Sequence, residues 1–123
     1  MSIPRAKVMS ELVAPFAVRA RLTGEEYKVR FSHLWSAIAT RHSDTIDCKF
    51  LVNGRGVVVA LAHPGFVDFH QRTGRPLSDE ETAQVAAAYL RAALESDCDS
   101  DRNQHFVSRE EVLRLVGELG LLG

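Results

Sequence analysis

The stretch T45-I-D-C-K-F-L-V-N-G-R-G-V-V-V-A-L-A62 constrains this chain more than any other. Asn53-Gly54 tolerates the positive φ angles of a two-residue hairpin turn, and β-branched residues dominate both flanks. The spacing predicts strands over about 45–52 and 56–62. Ile46, Cys48, Phe50 and Val52 alternate with polar neighbours, so the first strand has one buried face. The second is apolar at successive positions, which places it centrally in a sheet with both faces covered. Cys48 falls on the buried parity, where a free cysteine behaves as a small core hydrophobe.

A second hairpin is expected upstream. Phe16, Val18, Ala20 and Leu22 alternate with Arg19 and Arg21; after T23-G-E-E26, Tyr27, Val29 and Phe31 alternate with Lys28 and Arg30. Residues 23–41 also admit another reading. Thr23 with Glu26 makes a capping box, and Tyr27, Phe31, Leu34, Trp35 and Ile38 would stripe one long helix. In the hairpin reading only L34-W-S-A-I-A-T-R41 is helical. Before it, Val8, Met9, Leu12 and Val13 predict a short helix over 5–14, stopped by Pro15.

Downstream the period becomes helical. Phe66, Val67, Phe69 and His70 predict a short helix closed by Gly74. Ser78 and Glu81 form a capping box opening a helix to about Glu95, with an Ala-rich face. His105-Phe106-Val107 reads as a short edge strand, and Ser108 with Glu111 opens a last helix closed by Gly120. The expected fold is a single α+β domain over 1–123. It has a mainly antiparallel sheet of about four strands in two hairpins, helices packed on one face, and a largely helical C-terminal half.

Function is far less legible. There is no G-x-S-x-G, P-loop, dinucleotide fingerprint or H-E-x-x-H, and His33, His42, His63, His70 and His105 fall into no catalytic spacing. The apolar run Val57–Ala62 is far short of the roughly 20 residues a bilayer crossing needs. The N-terminus mixes charges into its apolar residues, unlike a signal peptide. A cytoplasmic, non-enzymatic accessory or interaction protein is expected, associating with itself or with a protein partner and not with a membrane. The net charge of −1 conceals an asymmetry: residues 1–63 carry nine Lys/Arg against five Asp/Glu, and residues 64–123 six against eleven. Such halves suit head-to-tail pairing or a charged partner.

Two local features suggest specific binding. In the hairpin reading Arg19, Arg21, Lys28 and Arg30 share the outer face, a cationic row that could meet phosphates or an acidic partner. No aromatic residue interleaves in that row, so base stacking is not expected there. The loop S96-D-C-D-S-D-R-N-Q-H105 offers Asp97, Asp99, Asp101 and Asn103, followed by Glu111 on the entering turn of a helix. From Phe106 onward this segment resembles the second half of an EF-hand, and the resemblance implies calcium as the one cofactor to consider. Ending at Glu111 makes the loop one residue longer than the EF-hand's twelve. Ending at Glu110 puts Gln104 where the turn glycine stands. A solvated connection between two capped helices has the same composition.

Overall fold

Asn53 and Gly54 adopt φ of 51° and 85°, the paired left-handed conformation that lets two strands fold back with their natural twist. They join β3 (Thr45–Val52) to β4 (Arg55–Ala62) in the computed structural model, which describes residues 13–37, 45–96 and 103–121. Before this hairpin lie β1 (Phe16–Arg19) and β2 (Glu26–Ala37). After it come helices α1 (His63–Thr73) and α2 (Asp79–Glu95), strand β5 (Gln104–Val107) and helix α3 (Arg109–Glu118). Asn53 also ties the two hairpins together. Its Oδ1 accepts from the Lys28 amide at 2.8 Å, and its own amide donates to the Lys28 carbonyl at 2.8 Å.

The five strands form one sheet in sequence order. The first four are antiparallel neighbours, and β5 lies parallel to β4. The sheet is therefore mixed and five-stranded, where four antiparallel strands were expected. Parallel pairing requires a crossover, which α1 and α2 supply between β4 and β5. β4 is consequently central, with a strand on each edge, and both its faces are covered only from Val59 to Ala62.

The long-helix reading of 23–41 is wrong, and so is the short helix from Leu34: β2 runs on through Ala37, paired with β3. The helical appearance has a simple cause. Phe31 pairs with Phe50 and His33 with Lys49, leaving Ser32 as the extra residue of a β-bulge. Before the bulge the odd residues Tyr27, Val29 and Phe31 point inward; after it the even residue Leu34 does. A period of two with one inserted residue spaces Tyr27, Phe31 and Leu34 by four and three, as on a helix. The helix expected over 5–14 lies mostly outside the described residues, and Val13 and Ala14 are not helical.

The inner face of the sheet and the helices share one buried cluster. Val29, Phe31, Phe50, Val59 and Leu61 meet Val85, Ala86 and Leu90 of α2, Phe69 of α1 and Val112 and Val116 of α3. Phe31 and Phe50 pack edge-to-face at 5.4 Å, the arrangement ring quadrupoles favour. The Ala-rich face of α2 is spent here, because Ala83, Ala86, Ala87 and Ala93 are buried and let the helix lie close.

Capping fixes the helix starts. Ser78 Oγ accepts from the Glu81 amide at 3.1 Å while Glu81 Oε1 accepts from the Ser78 amide at 3.0 Å, completing the expected box. Arg75 holds the same carboxylate with two nitrogens, at 2.9 and 3.1 Å. At α3 only half of the expected box forms: Ser108 Oγ accepts from the Glu111 amide, and Arg114 takes the Glu111 carboxylate. Gly74, at φ 79°, closes α1.

Candidate functional site

The inner parity of every strand is committed to the core, so any site on the sheet must come from the outer parity. Cross-strand register places those residues in rows. Ala17 faces Lys28, and Arg30 faces Leu51, which faces Gly56. The next row runs His33, Lys49, Val58, Gln104, and the one after it Trp35, Asp47, Ala60, Phe106. Lys28, Arg30, His33, Trp35 and Phe106 are all exposed. Phe106, at 63% of its free area, and Trp35, at 37%, are the large apolar side chains among them.

Two local contacts pre-set this face. The His33 and Trp35 rings lie 5.0 Å apart, 30° from parallel, and His33 Nδ1 is 2.9 Å from Ser32 Oγ. The bulge residue thus braces the ring that leans on the indole. Lys49 extends across Gly56, where a Cβ would stand 3.1 Å from its Cε, so the absent side chain leaves room for the lysine to lie flat. A groove of about 600 Å³ opens beside it, lined by Pro15, Ala17, Lys28, Arg30, Leu51 and Asn53.

The cationic row expected from the first hairpin is only partly assembled. Lys28 and Arg30 stand on the outer face as anticipated. Arg19 is on that face but faces Glu26, and its guanidinium donates to the Gly24 carbonyl at 2.8 Å. Arg21 lies in the turn after β1; its amide donates to the Glu95 carbonyl at 2.9 Å and its guanidinium lies 3.8 Å from the Glu95 carboxylate. The strand ends at Arg19, so alternation stops before Arg21. Lys49 takes its place on the face. Of the carboxylates there, Asp47 is buried and accepts from Thr45 Oγ1 at 2.7 Å.

Of the residues proposed for calcium, Asp97, Asp99 and Asp101 lie outside the described residues. Asn103 precedes β5, and Glu111 lies beyond it in the first turn of α3. Asn103 Oδ1 accepts from Arg55 at 2.9 Å, and Glu111 is bound to Arg114. Among the described residues no group of three or more His, Cys, Asp or Glu stands together as a metal site.

The histidines are dispersed. His63 stacks on Phe66 at 6.3 Å; His105 is buried against the edge of Tyr89. His70 is exposed. Asp68 turns away from both His63 and His70 to a bidentate pair with Arg109, clamping α1 to α3. Cys48 is fully buried, and its thiol is pushed up to about 12, first by burial and then by the charges of Asp47 and Asp79. Such a thiol is no nucleophile near neutrality.

Comparison of the chain with protein-family models, with curated proteins and with solved structures finds no match. Among the described residues no helix is long and apolar enough to cross a membrane.

The residues that sequence reasoning missed are His33, Trp35, Lys49 and Phe106. Lys49 was within reach, since it has the opposite parity to Cys48 and Phe50. Trp35 and His33 were hidden by the bulge, and Phe106 by a pairing that only the crossover makes.

Proposed function

We propose that this protein is a non-enzymatic interaction domain that self-associates through the edge of β2 beyond Val29. One observation carries the reading. β1 pairs with β2 only from Glu26 to Val29, whereas β2 continues to Ala37. Among the described residues no strand lies beside Arg30–Ala37 on that side. A run of this length without a partner among the described residues presents amides and carbonyls that another chain can pair with.

A second copy laid antiparallel would match the same residues about a two-fold axis, the commonest symmetry of small oligomers. The pairing would join two five-stranded sheets and keep both outer faces on one side. The half-buried Leu34, which packs at the margin of the core, would gain an apolar neighbour from its twin. The Ala-rich helix supplies no part of this interface, because its small side chains are already used inside the fold.

Sedimentation equilibrium tests the reading. A mass rising from one chain to two over the micromolar range supports it. A strict monomer at high micromolar concentration would remove it.

A further inference from the structure

We propose that the outer face of the sheet binds single-stranded nucleic acid, with Trp35 and Phe106 as stacking platforms and Lys28, Arg30 and Lys49 meeting the phosphates. The inference does not depend on self-association, since every residue it uses belongs to one chain.

Single strands are held without sequence readout by a cationic track that follows the backbone and by aromatic rings on which bases stack. Both are present on this face. Trp35 and Phe106 end the same cross-strand row, on β2 and β5. Three strand spacings separate them, about 14 Å, so two bases of one strand can stack without competing for the same space. Between them lie Asp47 and Ala60, both buried, so the two rings stand at the ends of a row whose middle is covered. His33 beside Trp35 fixes the indole before any ligand arrives, lowering the ordering cost of binding.

The cations sit one, two and three rows away, Lys49 nearest and Lys28 farthest, where a backbone would pass. Lys28 and Arg30 flank the groove beside Leu51, and Lys49 lies across Gly56 of the next strand. Of the described carboxylates near this track, Asp47 is buried and accepts from Thr45, and Glu26 stands exposed across from Arg19, whose guanidinium is held by the Gly24 carbonyl. Acidic residues crowd the opposite side of the molecule, with Asp79, Glu80, Glu110 and Glu118 exposed on the helices. The overall charge of −1 therefore masks a face that a polyanion can approach, turned away from a side that repels it.

Trp35 is the only tryptophan, so intrinsic emission reports on the platform itself. The experiment titrates a fixed protein concentration with oligothymidylate of about fifteen nucleotides, a length within common single-strand site sizes. Emission and the anisotropy of a labelled oligonucleotide are read together. The expected result is saturable quenching, with log affinity falling against log salt at a slope of about −2, as three phosphate contacts on a single strand imply. Trp35→Ala and Phe106→Ala should each weaken binding about tenfold or more, and Trp35→Phe should restore most of the loss.

Three results would overturn the proposal. One is no quenching and no anisotropy change up to about 100 µM oligonucleotide, the weak end of non-specific binding. The second is binding that both alanine variants leave intact, which would reduce the face to a charge patch. The third is displacement by polyglutamate as effective as by unlabelled oligonucleotide, which would assign the face to an acidic protein partner. All three are readable whether the protein is a monomer or a dimer.

Discussion

Of the described glycines, Gly65 makes the tightest approach to another element. A Cβ built there would lie 2.8 Å from Val112 Cβ and 2.9 Å from Val112 Cγ1. α1 and α3 meet through that gap, and the Asp68–Arg109 pair closes beside it. Gly65→Ala should cost about 1–3 kcal/mol in urea unfolding, the usual penalty for overpacking. Adding Val112→Gly should cost less than the sum of the two single changes, because it removes both the Cβ and the Cγ1 that the new methyl would meet. Additive losses would show that the helices do not meet there. Glu81 shows the same economy in charge. Arg75 first, and the Ser78 amide next, hold its carboxyl down to about 2 from the ordinary 4.5. A depressed carboxyl stabilises the fold above its unfolded pKa, and that contribution fades as pH falls from about 4.5 toward 2. Glu81→Gln should therefore lower the melting temperature at pH 7, and the gap from the native protein should close near pH 2. The pair is solvent-screened, so the neutral-pH effect should stay below about 1 kcal/mol. A gap independent of pH would contradict the ion-pair account.

Single elements differ in how openly the sequence announces them. β3, β4 and α2 are plain because their signals are local: a turn that needs two positive φ angles, a period of two, and a capping box three residues apart. β2 misleads because the bulge at Ser32 is a relation between two strands. Nothing within Tyr27–Ala37 alone distinguishes an inserted residue from a helical stripe. The account predicts that deleting Ser32 regularises the pairing and leaves Trp35 on the outer face, since the inserted residue is the one removed. Trp35 emission should then keep the long wavelength of an exposed indole. A strong blue shift would show that the deletion had turned Trp35 into the core. β5 was visible as a strand but not as a parallel partner, because its neighbour lies across two helices. The candidate site inherits both gaps. Its cations Lys28 and Arg30 come from a regular stretch and were legible, whereas its aromatic residues come from the bulged and the crossover strands.

For the molecule as a whole, the sheet divides a nearly neutral chain into two unlike sides. Residues that alternate inward bury one face beneath three helices. Those that alternate outward leave Lys28, Arg30, Lys49, Trp35 and Phe106 on the other. The charge asymmetry between chain halves is the linear shadow of this arrangement, since the first half builds most of the sheet and the second supplies the helices. Neither side explains why β2 outruns β1, and that surplus edge is the basis of the self-association we propose. The most direct measurement is amide hydrogen exchange of the peptide covering Arg30–Ala37 at low and at high protein concentration. The account predicts that this peptide gains protection as concentration rises, in step with the increase in mass, while the core strands β3 and β4 stay protected throughout. Exchange in Arg30–Ala37 that is fast and independent of concentration, in a sample whose mass doubles, would place the interface elsewhere and contradict it.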